Sequence, residues 1–261
     1  MIELTGKVFG SVREHTEKTL AAVWENALLV VPAKDDATEP VQTTPALMRT
    51  LCENRRFPVL LFAHGSSGIN EAIRQFSLYI AQKIGWAVVV PDSMQTADRL
   101  TYSSPVAKCD YEAVHAMRSA ELAYSAQRLF EQPWFSGVYA VAGTSEGGVA
   151  AARFDSAKLA IREKAKLIFS WSCEENYHVE APGNVLPRDL PVLNVMSMTD
   201  KFFSRANAYL DNDAAMGYAR EALQNNPNAS IVLIPQAAHT LLNLPQTRAA
   251  ALEILERASL L

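Results

Sequence analysis

A serine, an aspartate and a histidine occur along the chain in an order and setting that suit acyl-transfer chemistry. Ser145 lies in the segment Gly143 to Gly147, G-T-S-E-G, which fits the G-x-S-x-G pattern of a strand that turns tightly into a helix and exposes its serine. Asp200 and His239 each follow a later apolar segment. A serine hydroxyl is a weak nucleophile, so it needs a base to accept its proton and a carboxylate to orient that base. These three residues are the candidate catalytic set.

The choice of His239 and Asp200 follows from their positions relative to the predicted strands. The chain has five histidines, and His239 lies in a short loop just after the last predicted strand. The others lie in a weakly patterned segment, a glycine turn, a helix and an irregular loop: His15, His64, His115 and His178. Asp200 fits the chain order serine, aspartate, histidine, and Glu174 is the next candidate. Glu175 and Asp92 also follow strands, and a helix N-cap is the structural alternative for Asp200.

A glycine-containing turn after an earlier strand is the second candidate part of the site. The apolar run Phe57 to Ala63 ends in His64-Gly65-Ser66-Ser67-Gly68. Negative charge that develops on a carbonyl oxygen is stabilised by preorganised backbone N–H groups. We expect the amide of Ser66 to supply one such group and the amide of Glu146, next to the serine, to supply the other. His64 is expected to support the geometry of this turn.

Alternating apolar and helical segments predict the frame that positions these residues. Buried strands are expected at Phe57 to Ala63, Trp86 to Val90, Val138 into the serine turn, Leu167 to Ser172, Pro191 to Met198 and Ser230 to Pro235. Helices are expected at Ile69 to Ile84, Asp110 to Gln132, Glu146 to Lys158, Asp213 to Gln224 and Pro245 to Ser259. The alternation predicts an α/β fold, with a mostly parallel central sheet flanked by helices on both faces. We expect one domain over residues 1–261, with its chemistry at the carboxyl edge of the sheet.

The first quarter of the chain gives weaker signals. An apolar strand is expected at Ala27 to Val31 and a polar loop at Pro32 to Pro45. Leu47, Met48, Leu51 and Cys52 have the spacing of a short helix.

Composition narrows the classes of function. Of the 261 residues, 49% are hydrophobic and 20% charged, and the net charge of −4 gives no basic surface for nucleic acid. The three cysteines, Cys52, Cys109 and Cys173, have no spacing typical of a zinc site or a disulfide framework. The acyl-transfer chemistry of a serine, an aspartate and a histidine requires no metal and no organic cofactor, so none is expected. No run approaches membrane-spanning length, and Met1 to Gly10 lacks the apolar core of a signal peptide, so we expect a cytoplasmic protein without a membrane partner.

Taken together, the serine turn, the glycine turn, the acid and the histidine resemble those of α/β-hydrolases, and most of all the dienelactone-hydrolase-related branch. The resemblance runs from Phe57 to the C-terminus, and its specific features are the paired glycines of Gly143 to Gly148 and the absence of a lid-sized insertion. Dienelactone hydrolases carry a cysteine where this chain has Ser145. The resemblance therefore implies a serine esterase with the α/β-hydrolase fold and no large lid domain.

The function predicted is hydrolysis of a small or medium carboxylic ester through an acyl-enzyme, with Ser145, Asp200 and His239 as the catalytic triad. Loops after the strands are the expected pocket walls, and Tyr102, Cys173 and Phe202 are the candidate substrate contacts. A small-molecule ester is the expected partner. Two alternatives stay open: a serine peptidase or amidase of the same fold, because the S-x-G-G ending resembles prolyl-oligopeptidase-like domains, and a noncatalytic member that binds a small ligand.

Overall fold

A computed structural model describes residues 3–34, 39–51 and 55–261, without the side chains of residues 49–51. Its strands are β1 Lys7–Phe9, β2 Leu28–Val31, β3 Val41–Thr43, β4 Phe57–Ala63, β5 Ala87–Val90, β6 Thr101–Ser103, β7 Phe135–Thr144, β8 Lys166–Phe169, β9 Val192–Ser197 and β10 Ala229–Ile234. Its α-helices are α1 Glu17–Glu25, α2 Pro45–Leu51, α3 Glu71–Ile84, α4 Lys108–Phe130, α5 Glu146–Arg153, α6 Arg220–Leu223 and α7 Pro245–Ser259. Cys52, expected at the end of α2, lies outside the described residues.

An eight-stranded sheet forms the centre of the described chain. Its strand order is β10-β9-β8-β7-β4-β5-β2-β3. Neighbouring strands are parallel from β10 to β5, whereas β2 pairs antiparallel with both β5 and β3. The carboxyl ends of the six parallel strands therefore lie along one edge of the sheet, where α/β folds place their ligand-binding loops.

Helices cover both faces of the sheet, which explains the uninterrupted apolar runs of its central strands. Along β4, Leu60 and Phe62 pack in the core formed with α3 and α7. Val59 and Leu61 pack in the opposite core, formed with α1, α4 and α5. A strand with both faces buried has no place for alternating polar residues. This arrangement confirms the predicted fold class of a mostly parallel sheet between two helical layers.

The helix predicted over Asp213 to Gln224 is mostly absent, and α6 accounts for only Arg220–Leu223. The preceding residues form turns, and Gly217 has a left-handed backbone with φ of 85°. The amides of Met216 and Gly217 donate to the Glu174 carboxylate at 2.7 and 2.8 Å. A tertiary hydrogen-bond acceptor therefore takes the place of the carbonyls that a helix would have used.

The N-terminal segment contains elements that the sequence pattern did not predict. Strand β1 pairs antiparallel with β6 and forms a ribbon separate from the main sheet. The side chain of Thr16 accepts a hydrogen bond from the Thr19 amide and begins α1. Because Tyr102 lies at the centre of β6, this ribbon fixes a segment that borders the candidate site.

No α-helix in the described part of the chain combines the length and apolar character needed to cross a membrane.

Candidate active site

Ser145 occupies a strained turn between the end of β7 and the start of α5. Its backbone has φ of 56° and ψ of −120°, which is costly for a residue with a side chain. The turn is possible because strand and helix approach closely at glycines. A Cβ built on Gly143 would lie 1.9 Å from the Gly147 carbonyl oxygen, and one on Gly147 would lie 2.1 Å from the Ala63 carbonyl oxygen. The G-x-S-x-G spacing thus has a steric cause in this fold.

His239 and Asp200 form a hydrogen-bonded pair beyond the ends of β10 and β9. The Nδ1 atom of His239 lies 2.6 Å from Oδ2 of Asp200. The other carboxylate oxygen accepts the amides of Phe202 and Phe203 at 2.8 and 3.0 Å. Burial raises the pKa of Asp200, but the hydrogen bond and charge of His239 outweigh it and leave that pKa below its ordinary value. An ionised Asp200 accepts the proton on Nδ1, so Nε2 is the ring nitrogen left to act as a base.

The loop that carries His239 is braced against two neighbouring strand ends. The Ser170 hydroxyl, just after β8, donates to the carbonyl oxygen of His239 at 2.6 Å. The Ser197 hydroxyl, at the end of β9, donates to the carbonyl oxygen of Ala237 at 2.6 Å. The ring of Phe202 packs edge-on against the imidazole, with 4.6 Å between centroids. These contacts restrict the imidazole to one orientation.

Most of the predicted site residues surround one cavity of about 270 Å³ at the carboxyl edge of the sheet. Of those residues, five line it: Ser66, Tyr102, Ser145, Phe202 and His239. Among the hydrogen bonds of the described residues, none joins the Ser145 hydroxyl to the imidazole. Catalytic hydrogen bonds are often long before substrate binds, so a shared cavity is the relevant geometric condition. Ser66 and His239, which line the same cavity, are more than 170 positions apart in the sequence.

The two expected oxyanion donors belong to segments close to the serine. The Ser66 turn is close to it, because a Cβ on Gly65 would lie 3.5 Å from the Ser145 Cβ. Glu146 is the first residue of α5, where backbone N–H groups lack helical acceptors. Within the described residues, neither the Ser66 amide nor the Glu146 amide donates a hydrogen bond. The side chain of Glu146 is buried and pairs with Arg99 at 2.7 Å.

The placement of Cys173 contradicts its prediction as a substrate contact. Cys173 does not line the cavity, and its side chain is buried with the Sγ atom 4.0 Å from the Trp171 carbonyl oxygen. Burial raises the pKa of this thiol. The sequence analysis expected the loops after the strands, including the stretch Cys173 to Asp189 after β8, to form the pocket wall. Cys173 instead packs in a buried apolar cluster.

The alternative acids have other partners. Glu174 accepts the amides of Met216 and Gly217, as described above, and Asp92 accepts the amide of Met94 at 3.1 Å. Among the described residues, neither carboxylate forms a hydrogen bond with His239.

His178 lines the cavity, but the sequence analysis did not single it out as a substrate contact within the irregular stretch after β8. Its Nε2 atom lies 2.9 Å from the Tyr102 hydroxyl, and its ring centroid lies 4.2 Å from that of Tyr111. Burial lowers the pKa of His178 well below its ordinary value, and the charge of His115 lowers it further. It is therefore a neutral part of the cavity wall. Its position in an irregular loop carried no periodic signal, and its role in the wall is visible only in the tertiary structure.

Comparisons with known proteins agree on the fold. No protein-family model matches the chain, and no curated protein sequence does. Est1E from Butyrivibrio proteoclasticus is similar in structure with a TM-score of 0.52 and 17% identity, covering 89% of this chain and 94% of Est1E. A Klebsiella pneumoniae protein described as a dienelactone hydrolase has a TM-score of 0.56 and 15% identity, with 99% of each chain covered. A Xanthomonas campestris protein described as a hydrolase of the alpha/beta superfamily has a TM-score of 0.50 and 19% identity, covering 78% of this chain and 99% of that one. The chain has the α/β-hydrolase fold.

Proposed function

We propose that this α/β-hydrolase-fold protein is a serine esterase that cleaves small or medium carboxylic esters through an acyl-enzyme. The observation that carries the proposal is the convergence, at one cavity, of a strained serine and an imidazole held by a buried aspartate. The proposed oxyanion donors are the amides of Ser66 and Glu146, which donate no hydrogen bond within the described part of the chain. The dienelactone hydrolase and alpha/beta hydrolase descriptions of two structural neighbours point the same way.

Acylation begins when Nε2 of His239 accepts the proton of the Ser145 hydroxyl. The serine oxygen forms a bond to the ester carbonyl carbon, and the carbonyl electrons move onto its oxygen, which faces the amides of Ser66 and Glu146. As that oxyanion collapses, the bond to the alcohol oxygen breaks. His239 gives its proton to the departing alcohol, and an ester of Ser145 remains. Asp200 stays ionised and stabilises the transient imidazolium.

Deacylation repeats the sequence with water as the nucleophile. His239 accepts a proton from water while the water oxygen bonds to the acyl carbon. The tetrahedral intermediate then releases the Ser145 oxygen, which takes the proton back from His239. One ester and one water yield one carboxylic acid and one alcohol, and the enzyme returns to its starting state.

Cavity size argues for a modest substrate. A volume of about 270 Å³ lies at or below the lower end of typical ligand pockets, roughly 300 to 1,000 Å³. The wall combines the aromatic rings of Tyr102, Tyr177 and Phe202 with the polar groups of the serine turn. Short acyl groups such as acetyl and butyryl are therefore the first substrates to test.

The test combines turnover with covalent labelling. Wild-type protein should hydrolyse p-nitrophenyl acetate or butyrate, and a fluorophosphonate should add to Ser145. Ser145→Ala should lose the adduct and about 10⁴-fold or more in kcat, because the nucleophile is gone. Ser67→Ala is the matched control, since Ser67 lines the same cavity and has no assigned role in the chemistry.

Other outcomes would redirect the assignment. Labelling of Ser145 with cleavage of amides or peptides in preference to esters would indicate the peptidase or amidase alternative. Folded wild-type protein that neither reacts with the phosphonate nor turns over any ester would overturn the enzyme proposal and favour a ligand-binding role.

A further inference from the structure

A buried cluster of charged side chains lies beneath the candidate site and has no part in the reaction described above. At its centre is Arg118 of α4, which is 1% exposed. Its guanidinium bonds to the Glu121 carboxylate one turn along the helix. Glu121 also contacts His15 at 2.9 Å and accepts the Ser93 hydroxyl at 2.5 Å. Burying charge is costly, so a cluster this deep calls for a reason beyond general stability.

The guanidinium of Arg118 reaches the turn that carries one oxyanion donor. Its Nη2 donates to the His64 carbonyl oxygen at 2.8 Å, and its Nη1 lies 3.5 Å from His64 Nε2. The Ser93 amide also donates to that Nε2 at 3.1 Å. Both groups within 3.5 Å of Nε2 are donors, whereas the nearest acceptor, Oδ1 of Asp92, lies 4.0 Å away, so we assign Nε2 as the acceptor and place the proton on Nδ1. Burial, and then the charge of Arg118, lower the pKa of His64 to about 4, which agrees with a neutral ring.

The protonated Nδ1 of His64 is one of two groups that hold the peptide of the Ser66 amide. It donates to the Gly65 carbonyl oxygen at 2.6 Å, and the Gly68 amide donates to the same oxygen at 3.1 Å. That carbonyl and the Ser66 N–H belong to one planar trans peptide, so they point in opposite directions. Holding the carbonyl toward His64 therefore fixes the orientation of the N–H. Arg118 and the Ser93 amide both face the unprotonated Nε2 of the histidine that makes this hydrogen bond.

The same arginine also faces the residue that carries the other donor. Its Nε atom lies 3.5 Å from Oε1 of Glu146, which Arg99 holds at 2.7 Å. Burial raises the pKa of Glu146, but the charges of Arg99 and Arg118 outweigh it and keep that pKa low. The side chain of the residue that carries the second expected donor is thus anchored as a buried anion.

We propose that Arg118 is a positioning residue for the oxyanion hole. By contacting His64 on one side and Glu146 on the other, it holds the Ser66 and Glu146 amides at a fixed separation. The inference rests on the proposed esterase function. We call the contacts of Arg118 with His64 and Glu146 the bridge. The proposal predicts that the bridge stabilises the tetrahedral transition state more than the bound ester. Loss of the bridge should therefore lower kcat and leave KM nearly unchanged.

The experiment uses the full chain, p-nitrophenyl butyrate and an alkyl trifluoromethyl ketone, which forms a tetrahedral adduct with an active-site serine. Arg118→Lys keeps the charge but lacks the forked guanidinium that contacts Glu121 and His64 through separate nitrogens. Glu146→Gln removes the carboxylate that Arg118 faces while it retains the backbone amide. The control is Lys166→Met. Lys166 is also a buried cation, bonded to the carbonyl oxygens of Phe154 and Val185 at 2.5 and 2.6 Å, but it begins β8 at the opposite edge of the sheet.

We expect each bridge variant to lose about 100-fold in kcat, within the range found for loss of one oxyanion donor, with KM changed by less than about threefold. Affinity for the ketone should fall in parallel with kcat. The double variant should lose little beyond either single variant, because both remove one bridge. Lys166→Met should lose stability without a comparable loss of kcat.

Several results would overturn the proposal. They are a folded Arg118→Lys with near wild-type kcat, a rise in KM at constant kcat, additive losses in the double variant, or an equal kcat loss in Lys166→Met. If Arg118→Lys does not fold, Glu146→Gln supplies the same comparison. A wild-type protein without esterase activity would instead overturn the proposed function, and this inference with it.

Discussion

Replacing Gly147 with alanine tests the steric basis of the serine turn. Gly147 is in the first turn of α5, where alanine normally gains about 1 kcal/mol over glycine. Here the added Cβ would lie 2.1 Å from the Ala63 carbonyl oxygen and 2.5 Å from that of His64. Both contacts are with backbone, so no side-chain rotation relieves them.

The size of the effect follows from these distances. An ordinary contact begins at 3.4 Å, so α5 and the end of β4 must separate by about 1.3 Å. Overpacking of this kind costs about 3 kcal/mol, which exceeds the helix-propensity gain and leaves a net loss of about 2 kcal/mol. That loss corresponds to a fall of about 4 to 8 °C in Tm for a chain of this size. Ala63 and His64 lead directly into the Ser66 turn, and a displacement of about 1 Å in a catalytic group costs about 100-fold in rate.

The assay measures thermal unfolding and p-nitrophenyl butyrate hydrolysis on the same preparations. Gly137→Ala is the control, because Gly137 has φ of 94° and no heavy atom within 4 Å of a built Cβ. It lies near the start of β7, away from the site, so alanine there should cost about 1 to 3 kcal/mol through backbone strain without lowering kcat. A Gly147→Ala protein more stable than wild type, or one with kcat within threefold of wild type, would refute the reasoning.

Two further predictions concern Asp200 and Lys166. Asp200→Asn should reduce kcat by about 10⁴-fold with little change in KM, because an amide in place of the carboxylate favours the wrong tautomer of His239; a loss below about tenfold in ester hydrolysis would contradict the assigned role. Burial lowers the pKa of Lys166 from 10.5 to about 8, so between these pH values the unfolded chain binds more protons than the folded one and stability should rise with pH. Between about pH 8 and 9.5, the free energy of unfolding measured in urea should rise by roughly 2 kcal/mol in wild type and not in Lys166→Met. If this free energy changes equally with pH in the two proteins, the assignment to Lys166 is wrong.

The interior of the fold was predictable because burial on both faces leaves an unambiguous pattern. Strand β4 has the predicted bounds, Phe57–Ala63, and α7 has the predicted bounds, Pro245–Ser259. The amphipathic helix α3 ends where expected, with Gly85 in the left-handed conformation. In each case, the local pattern and the surrounding layers favour the same structure.

Peripheral elements were harder to predict because their stability comes from distant partners. Strand β3 lies in a segment expected to be a loop, and it exists through antiparallel pairing with β2. Most of the helix predicted before Gln224 does not form, because the Gly217 amide bonds to the Glu174 carboxylate and Gly217 lies in a turn. Neither partner is visible within a local window of sequence.

The sequence by itself determined the order of the layers and the candidate serine, aspartate and histidine. Those predictions depend on local patterns: apolar runs long enough to be buried strands, and glycines spaced for a close strand-to-helix turn. Only the tertiary structure decided which side chains face the cavity. It removed Cys173 from the lining, added His178, and placed Arg118 behind both expected oxyanion donors. Such contacts join residues from separate elements, and their distances depend on how the layers pack rather than on any spacing along the chain.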